Sequence, residues 1–490
     1  MSSIQDFYRD QTIFLTGATG FLGKLILEKL LRTCAVQKVY ILVRPKHDKT
    51  LQQRFHCIFD SACFDLLRSS EPDFGKRVSL LSGDCSQRFL GLSEEARRLI
   101  KEEVTCIIHA AANVRFDTDL RTAVYTNVRS VKDLLELLGE VEKLRAFVYV
   151  STAFSHCFRR TVAEEFYKVD DKPDKLLQMV EIMDDRMLNV MTPHILGDWP
   201  NTYVYTKALA EELIRAHKQT FPVVVVRPAI VTSTITEPLP GWIENFHGLV
   251  GVILGVSLGV LRSLQLRQDV EARMVPADLV VNNILAAAWA IQKSEGGDSI
   301  PIYNFTGCSG RLLTWGGLIK EFKRYMYVYP LSKTVWYPFV QTSSYKLVHQ
   351  VRVFFFHTLF SYFVDCMLFM ARKRPMAVEK YRKINKLVDV LGYFTVRSWN
   401  FQNDNVQALW KKMSEDDRKM FNFDMRDVDW SKYSENSILG GRLYLMNDSL
   451  DNVSKSKKKM YFLAIIHYVF IALMVYVLYR LLSPVVQMFL

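Results

Sequence analysis

The chain has 490 residues, with 63 lysines and arginines against 51 aspartates and glutamates and a formal net charge of +12. That length allows roughly two or three domains and a large core. The charge suits anionic ligands or a membrane surface. It does not indicate a nucleic-acid-binding protein, because no zinc-finger, RNA-recognition or helix-turn-helix pattern accompanies it. The eight cysteines include no C-x-x-C pair and the ten histidines no H-E-x-x-H pair, so no metal site is predicted.

The first predicted unit is a strand, a glycine-rich turn and a helix. An apolar run, Thr12 to Leu15, leads into the turn, and a helical pattern follows from Lys24 to Leu31. Glycines spaced G-x-x-G-x-x-G allow a tight turn, close approach of the backbone to a pyrophosphate, and close packing of helix on strand. A packing turn in some other α/β domain is the alternative. The pattern predicts a nicotinamide-dinucleotide site formed by Gly17, Thr19, Gly20, Phe21, Leu22 and Gly23.

The second predicted strand, Lys38 to Arg44, ends in basic residues. NAD enzymes usually place Asp or Glu at this point, where it binds the ribose 2′-hydroxyl. Here the residues are Arg44 and Lys46, whose charges suit a 2′-phosphate. The sequence therefore favours NADPH. The alternative is that Arg44 and Lys46 are charged residues of a solvated loop.

The third and fourth predicted strands end in residues that suit a bound dinucleotide. Arg77 to Leu81 precedes Asp84, which lies where an adenine edge is found in this architecture. Cys106 to Ala112 ends in small residues, and Ala110 and Ala111 would let a cofactor pass close by. Within this strand, His109 is either a structural histidine or a ligand or acid.

The fifth predicted strand and a later helix supply a candidate catalytic set. Ala146 to Val150 delivers Ser151 and Thr152 to the carboxyl end of the sheet, where ligands bind in open α/β folds. Tyr203 and Lys207 are four residues apart in a helical pattern and share one face. A phenol with a pKa of about 10 is a poor acid at neutral pH unless an ammonium such as that of Lys207 stabilises its anion. The Thr152 hydroxyl would hold the substrate oxygen, with Ser151 as the alternative.

A long apolar segment near the C-terminus predicts a membrane anchor. Met460 to Tyr479 contains no Asp, Glu, Lys or Arg and would form about 30 Å of helix. We predict a transmembrane helix over 460–482 after a basic linker over 446–459. Four lysines between 455 and 459 precede the segment and only Arg480 follows it, so the positive-inside rule predicts a cytosolic N-terminal part.

A second apolar segment, Val353 to Met370, is interrupted by His357 and Asp365 and flanked by basic residues. Three interpretations remain open for it: a membrane-facing or substrate-access helix, a buried core helix, and a second span.

These motifs together resemble the extended short-chain dehydrogenases, and within that superfamily the chain resembles the alcohol-forming fatty acyl-CoA reductases. The wider match comprises TGATGFLG, VRPK, HAAANVRF, VSTAF, YTKALAEE and VVVVRPAIV. The closer match comprises EPLPGWIEN from Glu237, VPAD from Val275, Trp336-Tyr337-Pro338 and Asp429-Trp430.

The resemblance implies an α/β fold, with a Rossmann-type doubly wound parallel sheet over residues 1–330 whose substrate-binding part begins at about 241. A helical C-terminal domain over 351–445 and a C-terminal transmembrane helix would follow. The implied reaction is reduction of a long-chain acyl-CoA to a fatty alcohol by two NADPH, through a bound aldehyde. The implied location is the membrane of the endoplasmic reticulum or the peroxisome, and a homodimer is compatible with the family.

By the same resemblance, the three motif glycines hold the pyrophosphate, Arg44 the 2′-phosphate and Asp84 the adenine. Thr152, Tyr203 and Lys207 then form the catalytic set. Two alternatives stay open, because a fold does not determine a function. One is a membrane-bound dehydrogenase that acts on a sterol or a sugar nucleotide, and the other is a non-catalytic NADP-binding membrane protein.

Overall fold

The computed structural model describes residues 2–45, 50–170, 172–217, 221–292, 299–307 and 310–489. The chain forms two compact units, each assembled from segments that are distant in the sequence. The first unit comprises Met1–Glu244, Glu271–Leu312 and Arg397–Asp429, and the second comprises Asn245–Val270, Leu313–Val396 and Trp430–Leu490. The domain boundaries expected from the sequence stay a prediction.

The first unit is built on a seven-stranded parallel sheet. Its strands are β1 (Thr12–Thr16), β2 (Lys38–Val43), β3 (Val78–Ser82), β4 (Cys106–His109), β5 (Ala146–Val150), β6 (Val223–Pro228) and β7 (Ile302–Phe305). Their spatial order is β3-β2-β1-β4-β5-β6-β7. The order reverses between β1 and β4, and ligands of such sheets bind beyond the carboxyl ends of the strands at this point. The predicted doubly wound fold is confirmed.

Helices cover both faces of this sheet, which explains why its strands are apolar along their whole length. Every residue of β1 and of β5 is buried. The helices Glu94–Glu103, Ser130–Leu138 and Thr202–Ala216 pack on one face. The helices Phe21–Thr33 and Ala277–Gln292 pack against each other, and the second also contacts β5 and β6.

The remaining elements of the first unit are short. Its other α-helices are Ser3–Tyr8, Leu51–Phe59, Asp65–Ser70, Leu120–Val124, Pro173–Ile182, Asp185–Leu196, Asp404–Lys412 and Glu415–Met420. A π-helical turn, Tyr125–Arg129, connects Leu120–Val124 to Ser130–Leu138. Two short parallel pairs join Ile230–Thr232 to Met274–Pro276 and Thr161–Val162 to Asn400–Phe401.

The second unit is mainly helical. Its helices are Gly248–Ser257, Trp315–Val328, Lys346–Val353, Phe360–Met370, Ala377–Thr395, Trp430–Gly440 and Val453–Phe489, and π-helical turns lie at Phe354–Leu359 and Gly441–Leu445. One short parallel pair joins Ser263–Gln265 to Gln341–Ser343. Among the residues that the structure describes, two helical stretches, Lys346–Met370 and Leu450–Val477, are long and apolar enough to cross a membrane. The lysines predicted to form a linker lie in the first turns of Val453–Phe489, which we call the tail helix.

The packing of β1 against the helix that follows it yields a stability prediction. A methyl group at Gly23 would overlap the carbonyl group of Gly17, whereas one at Gly139 would meet only ordinary contacts, the nearest at 3.5 Å. Because overpacking costs about 1–3 kcal/mol, Gly23→Ala should lower the free energy of unfolding by that amount. Gly139→Ala should change it by less than about 1 kcal/mol. Equal values for the two variants in denaturant titrations would contradict this packing.

Candidate active site

The turn after β1 lies against the loop that leaves β4. Gly17 has a φ of +79°, and a methyl group there would lie 2.7 Å from the amide nitrogen of Ala111 and 2.9 Å from the carbonyl oxygen of Ala110. Only glycine allows both this backbone conformation and this close approach. The structure therefore brings together three of the predicted cofactor contacts. The loop begins directly after His109, three residues before the predicted end of the strand.

The helix Phe21–Thr33 presents its N-terminus at this turn. Gly20 occupies the N-cap position, and among the described residues no side chain caps the first turn. Thr19 and Gly20 are exposed, and Phe21 and Leu22 are half-buried. Backbone N–H groups in such a position attract a phosphate. The residues of the turn therefore fit the pyrophosphate of a dinucleotide.

The segment between Glu237 and Glu244 packs on the same helix, a contact that sequence reasoning missed. The rings of Phe21 and Trp242 stack with centroids 5.2 Å apart. Lys29 donates to Glu237 at 2.5 Å. Aromatic and charged residues in one short stretch were the available signal, but only the folded chain identifies their partners.

Arg44 and Asp84, predicted separately as cofactor contacts, form an ion pair at the ends of β2 and β3. The Nε atom of Arg44 lies 2.9 Å from Oδ2 of Asp84, and the Arg44 side chain is 64% exposed. Asp84 also accepts hydrogen bonds from the amide and hydroxyl of Ser86, each at 2.9 Å. An exposed ion pair contributes about 0–1 kcal/mol, so an anionic ligand could compete for Arg44 at little cost. Lys46 lies outside the described residues.

The helix Thr202–Ala216 positions two of the predicted catalytic residues. It begins where Asn201 accepts a hydrogen bond from the amide of Val204 at 3.1 Å, which places Tyr203 in the first turn and Lys207 in the second. The Thr152 hydroxyl lies close enough to the Tyr203 phenol to lower its pKa. These two residues therefore meet at the carboxyl end of β5.

The neighbouring hydroxyl of Ser151 has a different partner. Its Oγ atom donates to Oε1 of Glu211 at 2.5 Å, and both residues are buried. The two adjacent hydroxyls after β5 are thus separated in space. That of Thr152 faces the Tyr203 phenol, and that of Ser151 is held by a carboxylate.

Burial raises the pKa of Tyr203 to about 12, and the Thr152 hydroxyl acts in the opposite direction without cancelling the effect. The Nζ atom of Lys207 donates to the carbonyl oxygen of Val150 at 2.7 Å. The lowering of the Tyr203 pKa by Lys207 stays a prediction. The phenol is protonated at neutral pH and can act as a proton donor.

Lys207 is fully enclosed by the end of β5 and its neighbours. Its Nζ atom lies 4.7 Å from the centroid of the Tyr149 ring. Burial lowers the pKa of Lys207 to about 7, and the carboxylate of Glu211 opposes this shift. The charge of Lys207 therefore changes near neutral pH.

Glu211 belongs to a buried ion pair that sequence reasoning missed. Arg227 on β6 donates to it through Nε at 3.0 Å and Nη2 at 2.6 Å, and His156 lies 3.5 Å from the same carboxylate. Burial alone would raise the pKa of Glu211, but Arg227 and His156 lower it well below its ordinary value. An arginine within a buried apolar strand was the signal, because such a charge needs a partner.

Asn127 was also missed. It lies in the π-helical turn, and turns of this kind are frequent at functional sites. Its Oδ1 atom accepts from the amide of Asn113 at 2.8 Å, and its Nδ2 atom donates to the Thr206 hydroxyl at 2.9 Å. Asn127 therefore connects the loop after β4 to the helix that carries Tyr203.

His109 has a structural role. Its Nδ1 atom lies 2.7 Å from the hydroxyl of Thr16, which connects β4 to β1. Burial, together with the charge of Lys207, lowers the pKa of His109 to about 3. A histidine that is neutral at physiological pH and buried in the sheet is not placed to act as an acid.

Comparisons with known proteins agree with this fold. Family models described as Male sterility protein match residues 15–284 and 356–448. Reductase domains of a nonribosomal peptide synthetase from Mycobacterium tuberculosis and of the myxalamid pathway have TM-scores of 0.59 and 0.56 at 17% and 19% identity. The first match covers 91% of this chain and 95% of the other, and the second covers 88% and 90%. At this identity they support the fold alone.

Relatives with higher sequence identity match nearly the whole chain. Fatty acyl-CoA reductase wat of Drosophila melanogaster is 38% identical and covers 98% of this chain and 94% of its own. Fatty acyl-CoA reductase 1 of Mus musculus is 37% identical, covering 98% and 93%, and fatty acyl-CoA reductase 2 of Homo sapiens is 33% identical, covering 100% and 95%. The nucleotide-binding turn and these similarities identify an oxidoreductase that uses a nicotinamide cofactor, and the chain belongs to the fatty acyl-CoA reductase family.

Proposed function

We propose that this chain reduces a long-chain fatty acyl-CoA to a fatty alcohol with NADPH, through an aldehyde that stays bound. The observation that carries the proposal is the interaction of the Tyr203 phenol with the Thr152 hydroxyl at the carboxyl end of β5, with Lys207 one helical turn away. A phenol and a hydroxyl placed together suit proton donation to a carbonyl oxygen. The relatives named fatty acyl-CoA reductases supply the substrate class.

The residues at the ends of β1, β2 and β4 would hold the cofactor. The turn formed by Gly17, Gly20 and Gly23 would hold the pyrophosphate. Gly17 lets this turn pack on Ala110 and Ala111, and Gly23 lets the following helix approach Gly17. The Arg44 guanidinium, next to Asp84, would hold the 2′-phosphate, which is the reason for preferring NADPH. When bound, NADPH supplies the hydride for each of the two reductions.

Tyr203 would donate a proton to the substrate oxygen as negative charge develops on it. Its raised pKa keeps the phenol protonated before the reaction. Thr152 would orient the same oxygen, and the Lys207 ammonium would stabilise the phenolate that remains. Glu211 favours the charged form of Lys207. The contacts of Tyr203, Thr152 and Lys207 are therefore compatible with these three roles.

We also propose that the tail helix anchors the protein in the membrane of the endoplasmic reticulum or the peroxisome, with the first unit in the cytosol. The length and apolar composition of Leu450–Val477 support an anchor, and the lysines before it support the orientation. A homodimer is an expectation that rests on the family resemblance.

If Arg44 holds the 2′-phosphate, Arg44→Ala should raise the KM for NADPH roughly tenfold or more and leave that for NADH nearly unchanged. A charge-assisted hydrogen bond of about 1.5–3 kcal/mol is lost. Steady-state kinetics with both cofactors would measure this. The matched control is Arg98→Ala, which removes an arginine that is 69% exposed and also faces a carboxylate. Equal losses with both cofactors would contradict the assignment.

If Tyr203 is the proton donor for both reductions, Tyr203→Phe should lower turnover by about 10²–10⁴-fold on acyl-CoA and on free fatty aldehyde alike. NADPH binding and thermal stability should stay near those of the native chain, because the ring is kept. Tyr205→Phe removes a hydroxyl from the same helix and should retain turnover. Aldehyde reduction at the native rate by Tyr203→Phe would require a second acid or a second site.

The pH dependence tests the charge of Lys207. Its pKa of about 7 means that its ammonium is lost as pH rises through neutrality, so kcat/KM should decline above about pH 7. Glu211→Gln removes the carboxylate that raises this pKa, and the decline should move to lower pH.

The matched control is Glu212→Gln, which breaks the ion pair with the partly exposed Arg215 and should leave the pH profile unchanged. Because Glu211→Gln leaves Arg227 without its counter-charge, we expect the free energy of unfolding to fall by about 3–5 kcal/mol. The assay temperature must therefore be chosen below the variant's melting point. Superimposed pH profiles for Glu211→Gln and the native chain would exclude this role of Glu211.

A further inference from the structure

The helical stretch Lys346–Met370 in the second unit has two unlike sides. One side carries buried polar residues at intervals of eight and four positions, namely His349, His357 and Ser361. The other side is apolar, and six of its residues are between 48% and 73% exposed: Leu347, Val351, Phe355, Tyr362, Phe363 and Phe369. Large apolar side chains that are exposed along one side of a helix indicate a contact outside the chain.

The polar side is fixed to the second unit itself. His349 Nδ1 lies 2.9 Å from the hydroxyl of Ser263. His357 accepts the amide hydrogen bond of Arg262 at 3.0 Å through Nε2, and its Nδ1 atom donates to Asn385 at 2.8 Å. A helix that crosses a bilayer alone exposes all of its sides to lipid, where these polar groups would lose their partners. The contacts of His349 and His357 therefore indicate that only the apolar side of Lys346–Met370 faces lipid.

The end of this stretch turns sharply into the helix Ala377–Thr395. The carboxylate of Asp365 accepts hydrogen bonds from the amides of Met376, Ala377 and Val378 at 2.7–3.0 Å, which caps the second helix. We call the two helices, Lys346–Thr395, the hairpin. Its turn carries an exposed basic cluster, and a shallow pocket of about 610 Å³ is lined by Phe369, Met370, Arg372, Lys373 and Arg374.

Trp336 connects the hairpin to the tail helix. The indole Nε1 atom of Trp336 donates to Nδ1 of His467 at 3.1 Å, and the Trp336 ring lies 5.5 Å from that of Phe360. His467 belongs to the segment predicted to enter the membrane. A tail helix inserted in the bilayer would therefore bring the middle of the hairpin to the membrane surface.

We propose that the hairpin lies in the membrane interface and does not cross the bilayer. The aromatic side of Lys346–Met370 enters the boundary between headgroups and acyl chains, and the cluster Arg372–Arg374 contacts anionic phospholipid headgroups. Aromatic and basic residues in this arrangement are typical of helices that lie in the interface plane, and each cation near an anionic surface adds favourable electrostatic energy. The proposal rests on the membrane location proposed above.

Fluorescence quenchers placed at different depths of the bilayer test this contact in the full-length chain. The exposed Cys57 and Cys366 are replaced by serine, and a fluorophore is attached at Phe363→Cys, Lys383→Cys or Val475→Cys. The protein is reconstituted in phosphatidylcholine vesicles that contain phosphatidylserine. Quenchers near the headgroups should be at least roughly twofold more effective than deep ones at 363. Deep quenchers should be more effective at 475, and neither should act at 383, on the charged side of the second hairpin helix.

The three positions separate the failure of this proposal from that of the anchor. Quenching at 475 without quenching at 363 would overturn the hairpin contact and leave the anchor in place. Absence of quenching at both positions would overturn the anchor as well.

Accessibility distinguishes an interfacial hairpin from a second span. A membrane-impermeant maleimide added on the side of the first unit should label both Lys346→Cys and Lys373→Cys, because the two ends of the helix lie on the same side. Protection of either position until detergent is added would show a span and overturn the proposal.

The lipid chemistry is tested by replacing Arg372, Lys373 and Arg374 together with glutamine. Shallow quenching at 363 should fall roughly twofold or more in vesicles with phosphatidylserine. The matched control replaces Lys380, Arg382 and Lys386, three exposed cations of the second hairpin helix, and should not change the quenching. Equal effects of the two triple variants would overturn the assignment of anionic headgroups to the basic cluster.

Discussion

The candidate active site depends on the buried ion pair between Glu211 and Arg227. Both side chains are almost completely inaccessible to water, so neither charge is tolerable without the other. The pair joins the helix Thr202–Ala216 to β6 and also holds the Ser151 hydroxyl and His156. Because Glu211 is one turn after Lys207, its carboxylate favours the charged form of the lysine. The phenol of Tyr203 lies on the same helix and is positioned with it.

Much of the first unit could be predicted because its signals are local. The glycine spacing after β1 is set by backbone conformation and by contacts within a few residues, so the sequence alone specifies it. The limits of β1, β2 and β5 agree with the apolar runs to within one residue. The strand β4 ends earlier than predicted, because Ala110 and Ala111 continue the apolar run while the chain already turns toward Gly17.

Contacts between distant segments account for what the sequence could not predict. Arg44 and Asp84 were each assigned a ligand from the end of a strand, and nothing in the sequence places them 2.9 Å apart. The pKa of Tyr203 depends on how deeply the helix is packed, which composition does not reveal. The stretch Lys346–Met370 is apolar enough for a membrane span, and only the partners of His349 and His357 show that one side is bound to protein.

We propose that one site carries a thioester through to the alcohol. The most direct measurement is mass spectrometry of the product formed from a long-chain acyl-CoA and NADPH labelled with deuterium at both C4 positions. We expect the native chain to form a fatty alcohol with two deuterium atoms on its first carbon, and Tyr203→Phe to lose this product. A free aldehyde with one deuterium as the final product, or labelled alcohol from Tyr203→Phe at the native rate, would contradict it.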